Sequence, residues 1–240
     1  IVNCAIGVQS ADGRVDLAGA AGHADGARRV PMTVDTPYPI ASIAKMYTAA
    51  AIMQLCDRGQ IDLEAPISRY LPADLLDGIH VYNGTDYSAQ IKVYQLVNQT
   101  SGLPDYYEDK PEGGRSLFDE LKAGQDQTVD IQRVVAITRT LTPKWAPGTK
   151  AHYADTNYEL LGAIIESVTG QPLADVFQQR IFAPLNLQHT WAYSMDHPDG
   201  EPAAVFMGEQ VLHMPRFLAS QTASGGLVAT LADQLTFLRG

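Results

Sequence analysis

Residues 40–48, which read IASIAKMYT, open the segment that decides the fold and the chemistry of this chain. Ser42 and Lys45 are three residues apart, and residues at this spacing share one face of a helix. If a helix begins near Ser42, the hydroxyl lies beside the lysine and close to the unpaired N–H groups of the first turn. A desolvated amine can accept the hydroxyl proton, and the helix dipole favours negative charge on the oxygen. The pair therefore predicts an activated serine.

The same motif has a structural interpretation, a serine that caps a helix and a solvated lysine one turn later. Two observations favour the catalytic hypothesis. No other serine in the chain is followed by a lysine three residues later. The segment also begins the clearest helical pattern of apolar residues, and Gly59 is its predicted stop. The predicted apolar face consists of Ile43, Met46, Ala49, Ala50 and Met53.

The composition excludes several classes of protein. With 240 residues and 45% hydrophobic content, the chain can bury a substantial core. A formal charge of −10 argues against a nucleic-acid partner, which would require a basic patch. No apolar run approaches the length needed to cross a bilayer. We expect neither a nucleic-acid partner nor a membrane span, and the sequence leaves the oligomeric state open.

The periodicity of apolar residues predicts strands first and helices later. Residues 2–8 and 15–20 read as two strands joined by a turn at residues 10–13. A strong helical pattern covers residues 157–168, and residues 205–213 are expected to add one strand. Because the strands and helices do not alternate, we predict an α+β fold.

The pattern also suggests how the chain is divided. We expect residues 1–40 to form the hairpin of a sheet subdomain and residues 41–214 to form a mostly helical region. Residues 215–240 are expected to return toward the sheet. A lone hairpin is marginally stable, and the few strands in this sequence make a poor sheet. The expectation is therefore that C-terminal strands of the sheet are missing from this sequence.

Tyr153 is the second candidate for chemistry. It lies in the tetrapeptide HYAD at residues 152–155, after a turn at Pro147-Gly148 and just before the predicted helix. A tyrosine held near cations can transfer protons. Packing of an aromatic ring at a helix start explains the same residue without any chemistry.

Further segments accompany these two motifs, and all of them follow one another in a particular order along the chain. They are residues 36–48, 55–72, 99–104 (QTSGLP), 147–162, 182–187 (FAPLNL) and 224–227 (SGGL) with Asp233. In this order the chain resembles the serine β-lactamase-related family. That group includes class C β-lactamases, D-alanyl-D-alanine peptidases, D-amino-acid-releasing peptidases and certain esterases. The resembling segments span nearly the whole chain.

The resemblance implies a β-lactamase/DD-peptidase-like fold with a groove at the start of the Ser42 helix. It implies that Ser42 is the acylated nucleophile, that Lys45 is its proton partner and that Tyr153 is a general base or relay. The substrate would be a small-molecule or peptide amide, lactam or ester, cleaved through an acyl-enzyme without a metal or organic cofactor. A periplasmic or secreted location is also implied. Tyr106 is expected to face the cleft and bind substrate, with packing inside its loop as the alternative.

Two departures from the family pattern change the expected function. The second motif usually ends in Asn, whereas this chain has Asp155, and an ionised carboxylate accepts hydrogen bonds but donates none. Asp155 is therefore expected to pair with Lys45 or to bind a substrate amine, and the alternative is that it only orders Lys45. This favours an esterase or D-amino-acid peptidase over a β-lactamase proper.

The other departure concerns the third motif, a Lys- or His-led triplet ending in Gly, which does not occur before Gly240. In the family this strand supplies an oxyanion N–H, and the Ser42 backbone N–H supplies the other. A catalytically silent relative that binds penicillin-like or peptidoglycan-like ligands is the rival interpretation.

Overall fold

The computed structural model describes residues 2–197 and 201–240. Its strands are β1 (Asn3–Gln9), β2 (Asp16–Gly22), β3 (Tyr38–Pro39), β4 (Val81–Tyr82), β5 (Thr85–Asp86), β6 (Thr190–Ala192), β7 (Val205–Met207), β8 (Gln210–Leu212) and β9 (Leu227–Ala229). Its helices are α1 (Ala44–Asp57), α2 (Ala73–Leu76), α3 (Val93–Val97), α4 (Leu117–Lys122), α5 (Ile131–Thr138), α6 (Asp155–Thr169), α7 (Leu173–Phe177), α8 (Pro215–Ser220) and α9 (Leu231–Phe237). The fold class is α+β, as predicted.

The N-terminal hairpin forms as the alternation of residues predicted. β1 and β2 pair antiparallel along their whole length, and the turn is closed by a hydrogen bond of 2.9 Å from Ser10 N to Val15 O. Helix α9 covers one face of this hairpin at Gly7. A Cβ atom at Gly7 would lie 2.8 Å from the side chain of Leu235, so the absence of a side chain permits the close packing.

A separate three-stranded antiparallel sheet positions the candidate site. Strand β9 is its centre and pairs with β3 on one side and with β6 on the other. The chain leaves β3 directly into the residues around Ser42, and residues 224–226 lead into β9. The sheet therefore brings the Ser42 turn next to the Ser224 turn.

Two more hairpins are short. β4 pairs with β5, and β7 pairs with β8. The prediction of one strand over residues 205–213 was wrong, because Gly208 adopts a left-handed conformation with φ of 62° and reverses the chain in the middle of the segment. The proposed division of the chain into three regions stays a prediction.

Several helix ends follow the expected chemistry. Asp130 caps α5 by accepting a hydrogen bond of 2.8 Å from Arg133 N, and Thr230 caps α9. Helix α6 ends at Gly170, whose φ of 68° gives the left-handed conformation typical of a helix C-terminus.

Within the described residues, no helix is both long and apolar enough to cross a bilayer.

The buried face of α1 differs from the predicted one. Ile43, Met46 and Met53 are 44–45% exposed. The buried residues are Ala44, Lys45, Tyr47, Thr48, Ala51, Ile52 and Leu55. Because apolar residues occur on all sides of α1, periodicity does not select a face. The polar groups do so instead, since on the buried side Thr48 Oγ1 donates to Ala223 O at 2.7 Å and Lys45 Nζ donates to Ser224 O at 2.8 Å.

Helix α6 lies unusually close to the segment that carries Ala223 and Ser224. A Cβ atom at Gly162 would lie only 2.7 Å from the Cβ atom of Ala223, well inside van der Waals contact. The lack of a side chain at Gly162 therefore lets α6 and this segment approach each other. The approach holds the Ser224 carbonyl group over α1.

Candidate active site

Ser42 lies at a sharp junction between the sheet and helix α1. A single 3-10 turn, Ala41–Ile43, precedes α1, so the α-helix begins two residues later than Ser42 itself. Ala41 has φ of 47°, a left-handed conformation that costs a non-glycine residue about 1–2 kcal/mol. The junction is held by a hydrogen bond of 2.9 Å from Ile40 N to Leu227 O in β9. As a result Ser42 is exposed at the protein surface.

The structure brings together the three residues predicted to carry chemistry. Lys45 Nζ donates to Ser42 Oγ at 3.0 Å, and the hydroxyl of Tyr153 is hydrogen-bonded to the same oxygen. Lys45 Nζ also lies 5.0 Å from the centre of the Tyr153 ring. The serine hydroxyl thus lies between an amine and a phenol, two groups that can take up and return its proton when one of them is in its basic form.

Lys45 is the buried member of this group. Its side chain is 7% exposed, and Nζ contacts Asp155 Oδ1 at 2.6 Å in addition to the Ser224 carbonyl. Burial lowers the pKa of Lys45, but the charge and hydrogen bonds of Asp155 and Tyr153 outweigh it and hold the pKa above its usual value. The raised pKa favours the ammonium form of Lys45.

Two further carboxyl groups lie close to this ion pair. Glu159 follows Asp155 by four residues on α6, and Asp105 accepts a hydrogen bond of 3.0 Å from Asp155 N at the start of that helix. Burial, reinforced by the charge of Asp155, raises the pKa of Asp105 to about 7 and that of Glu159 to about 8. We call Asp105, Asp155 and Glu159 the carboxyl cluster.

Sequence reasoning missed Asp105 and Glu159 as neighbours of the site. The spacing of four residues between Asp155 and Glu159 places both on one face of the helix, and this signal was available. Asp105 gave no such signal, because it belongs to a loop distant in sequence from α6. Its position follows from the carboxylate bonds to Tyr107 N and Asp155 N.

Tyr153 is positioned by backbone hydrogen bonds on both sides. Gln99, in a left-handed conformation with φ of 63°, accepts from His152 N at 2.8 Å through its carbonyl group. Its side-chain oxygen accepts from Ala154 N at 3.0 Å. These bonds fix the residues before and after Tyr153, while the Tyr153 residue itself is 54% exposed.

The position of Tyr106 differs from the expectation. Tyr106 is fully buried, donates its hydroxyl hydrogen bond to Gln221 and contributes its backbone N–H to Thr156 Oγ1 at 3.0 Å. Its ring belongs to a small core that includes Leu117 and Phe217. The side chain therefore packs inside the protein, as in the loop-packing alternative, and it has no surface for substrate. Asp155 likewise contacts Lys45, which agrees with the interpretation that it orders the lysine.

Comparisons with known proteins concern the fold and the family of the chain. The D-amino acid amidase from Ochrobactrum anthropi SV3, solved with L-phenylalanine, superposes with a TM-score of 0.77 at 28% identity, over 99% of this chain and 64% of that chain. This likeness confirms the predicted β-lactamase/DD-peptidase-like fold.

The amino-acid sequence is also similar to those of named proteins. The N-acetylmuramyl-L-alanine amidase of Bacillus subtilis is 32% identical over 68% of this chain, and esterase EstB of Burkholderia gladioli is 28% identical over 86% of it. The chain spans 35% of that amidase and 53% of the esterase. The family model described as Beta-lactamase matches residues 8–240. Because this match covers almost the whole chain, the protein belongs to the beta-lactamase family.

Proposed function

We propose that this protein is a serine hydrolase that cleaves an amide, ester or lactam bond through an acyl-enzyme on Ser42. The observation that carries the proposal is the convergence of Lys45 Nζ and the Tyr153 hydroxyl on one exposed oxygen, Ser42 Oγ. A helix N-cap serine with a solvated lysine would not require a buried lysine or a tyrosine from a distant loop. Both are present here.

The chemistry follows from this arrangement. Ser42 Oγ attacks the substrate carbonyl carbon and loses its proton to the Lys45–Tyr153 pair. When the tetrahedral intermediate collapses, the bond from the carbonyl carbon to the leaving group breaks, the leaving group takes the proton from the Lys45–Tyr153 pair, and an ester to Ser42 remains. Water or another acceptor then releases the acyl group. The contacts of Lys45 Nζ and the Tyr153 hydroxyl with Ser42 Oγ support the proton transfers of the acylation step.

The favoured substrates are small acyl esters and amides of the esterase or D-amino-acid peptidase type. Support comes from two relatives named for these activities, esterase EstB and the D-amino acid amidase. Asp155 gives the second argument, because a carboxylate engaged with Lys45 offers no N–H donor to a lactam substrate. A β-lactamase proper is the alternative within the same chemistry.

The test is covalent labelling of the full-length protein. We expect p-nitrophenyl acetate to give a burst of p-nitrophenol and a mass increase of one acyl group, and a fluorescent penicillin to report lactam acylation. Ser42→Ala should abolish the adduct. Ser68→Ala is the matched control, because Ser68 is an exposed serine whose hydroxyl binds Ala89 O away from the site.

Three results distinguish the candidate functions. An adduct that requires Ser42 and turns over with esters supports the proposal. A penicillin adduct hydrolysed faster than the esters would assign the protein as a β-lactamase. No adduct with either reagent would contradict hydrolysis and leave a silent ligand-binding relative.

A further inference from the structure

We propose that Asp109 is a positioning residue for the phenol of Tyr153, because its carboxylate ties both ends of the loop that carries Tyr153 to the turn at residues 105–109. We call residues 144–153 the Tyr153 loop. This inference rests on the proposed function, since it concerns how the phenol is held against Ser42 Oγ during acylation. It depends on the contacts of the Asp109 carboxylate and on the way the two loops are joined.

The Tyr153 loop takes its conformation from contacts with other segments. Residues 144–153, all within the described part of the chain, form neither a helix nor a strand. Three backbone hydrogen bonds attach them to residues 99–102. They are Lys144 N to Gly102 O at 2.9 Å, Gly148 N to Thr100 O at 2.8 Å and His152 N to Gln99 O at 2.8 Å. A loop without its own ladder of hydrogen bonds relies on such contacts and on its side chains to stay in place.

The Asp109 carboxylate contacts this loop near both of its ends. Oδ1 lies 2.8 Å from Nζ of Lys144, at the beginning of the loop. Oδ2 lies 3.5 Å from Nε2 of His152, the residue before Tyr153. Oδ2 also accepts a hydrogen bond of 2.8 Å from Asp105 N. One side chain therefore joins three points of the backbone that are separate in sequence.

The turn that carries Asp109 is itself fixed to helix α6. Asp109 N donates to Asp105 O at 3.0 Å, and Asp105 Oδ1 accepts a hydrogen bond of 3.0 Å from Asp155 N at the start of α6. Asp155 is the carboxylate that contacts Lys45. The Tyr153 loop is thus attached, through Asp109, to the helix that also holds the lysine of the site.

Charge strengthens the attachment at Lys144. Burial raises the pKa of Asp109, but the hydrogen bond and charge of Lys144, together with the bond from Asp105 N, outweigh burial and hold this pKa below its ordinary value. Asp109 and Lys144 are 22% and 30% exposed, so the pair is partly shielded from water. Salt screens such a pair less than it screens a surface pair.

His152 carries the attachment to its neighbour Tyr153. Nε2 of His152 is buried and makes no hydrogen bond to any described residue, so the Asp109 carboxylate is the group that offsets its lost contact with water. The imidazole also lies edge-on to the Trp145 ring, with the ring centres 6.0 Å apart. Because His152 directly precedes Tyr153, an imidazole fixed by these two contacts restricts the backbone that carries the phenol.

A carboxylate suits this role and an amide does not. Lys144 and Asp105 N present N–H donors to different oxygens of Asp109. A carboxylate offers acceptors on both oxygens, whereas an asparagine side chain has one oxygen and one NH₂ donor. In Asp109→Asn the NH₂ group would therefore face a donor, and one attachment would be lost although the side chain keeps its shape.

The experiment is a double-mutant cycle in the full-length protein. The acylation rate at saturating p-nitrophenyl acetate and the half-saturating concentration of the ester are measured for the wild type, Asp109→Asn, Tyr153→Phe and the double variant. Hydrogen–deuterium exchange of the backbone amides of residues 144–154 is recorded alongside, because it needs no activity. Asp119→Asn is the matched control, since Asp119 also pairs with a lysine, Lys110, at 2.6 Å but lies in α4.

We expect Asp109→Asn to slow acylation by about 10–100-fold, since a displacement of about 1 Å can cost on the order of 10²-fold. The half-saturating concentration should stay within about twofold, because the loss concerns the reacting geometry and not ester binding. In the Tyr153→Phe background, Asp109→Asn should change the rate by less than about twofold, because the hydroxyl through which Asp109 acts is gone. The amides of the Tyr153 loop should exchange at least about tenfold faster in Asp109→Asn and at the wild-type rate in Asp119→Asn.

Three results would overturn the inference. They are an unchanged acylation rate in Asp109→Asn, an equal fold loss with and without the Tyr153 hydroxyl, and wild-type amide exchange in the Tyr153 loop of Asp109→Asn. The second is the result that a merely structural role would give. If the wild-type protein is not acylated at all, the proposed function fails, and the exchange measurement still decides separately whether Asp109 holds the loop.

Discussion

The two sides of Ser42 are built by different means. On the α6 side, Lys45 is buried and held by charge, within a cluster of three carboxyl groups. On the loop side, Tyr153 is half-exposed and held by backbone hydrogen bonds to Gln99. Removing a group from the first side should therefore affect both stability and chemistry, whereas removing one from the second should affect chemistry alone.

The largest effect is expected for Lys45→Met, which keeps most of the side-chain volume but removes the charge. Acylation should fall by at least about 10³-fold, as for other residues that act together with a nucleophile. The free energy of unfolding should fall by about 3–5 kcal/mol, because the Asp155 carboxylate is left buried without a partner. Burst kinetics and urea denaturation at pH 7 measure the two effects.

The double variant Lys45→Met/Asp155→Asn isolates the cause of the stability loss expected in Lys45→Met. Replacing both charges removes the unpaired carboxylate, so most of the lost stability should return while acylation stays absent. A double variant as unstable as Lys45→Met alone would show that lost packing, rather than charge, is responsible.

On the loop side of Ser42, Tyr153→Phe should slow acylation while leaving the free energy of unfolding nearly unchanged. Loss of the phenolic oxygen should slow acylation by about 10²–10⁴-fold, the usual contribution of a positioned acid or base. The free energy of unfolding should change by no more than about 0.5 kcal/mol, since the side chain is exposed. Stopped-flow acylation and urea denaturation provide the comparison.

Tyr70→Phe is the matched control for that variant. The Tyr70 hydroxyl accepts a hydrogen bond of 2.7 Å from Asp62 N, away from Ser42. Its loss should cost about 1 kcal/mol of stability and leave acylation unchanged. The prediction for Tyr153 would be wrong if Tyr153→Phe destabilised the protein as much as Tyr70→Phe or kept full activity.

Glu159→Gln should give a smaller, pH-dependent effect. Because burial raises the pKa of Glu159 to about 8, the folded protein retains a proton there that the unfolded chain loses near pH 4.5. Stability from this group is fully present below about pH 4.5 and is lost as the pH rises toward 8. The amide does not titrate, so the variant should be more stable than the wild type at pH 8, by on the order of a few kcal/mol.

Urea denaturation at pH 5 and pH 8 measures this difference. The wild type should lose more stability over the interval than Glu159→Gln, and Asp105 should account for part of the slope that remains, because its pKa is also raised. Equal slopes in the two proteins would mean that Glu159 is ionised in the folded state, and the two sides of Ser42 would then differ less than we infer.

The sequence predicted the convergence of the candidate catalytic residues better than it predicted their surroundings. Ser42, Lys45 and Tyr153 were singled out because their short motifs occur among segments whose order resembles the β-lactamase-related family, and the structure brings the three side chains together. The N-terminal hairpin was predicted because its turn is local. The face of α1 was predicted wrongly, since apolar residues occur all around that helix. The deciding contacts, from Lys45 and Thr48 to the carbonyls of residues 223 and 224, join segments that are remote in the chain.

The same reason explains the failure for Tyr106 and the omission of Asp105. Both lie in one loop, and neither burial nor contact with α6 can be derived from the residues of that loop alone. The family resemblance predicted that Tyr106 faces the cleft, with loop packing as the alternative, and in the structure Tyr106 fills a small core and donates to Gln221. Tertiary packing, which periodicity does not encode, determines these positions.

The absence of a side chain at Gly162 has a consequence for how relatives of this protein are recognised. A single methyl group there would force α6 and the segment that carries Ala223 and Ser224 apart, and the Ser224 carbonyl would then move relative to Lys45 although Ser42, Lys45 and Tyr153 were all still present. Chains that share the Ser, Lys and Tyr but carry a larger residue here are therefore expected to need a shift between α6 and residues 223–224. Steric clearance at this glycine is thus a second criterion for recognising the candidate site.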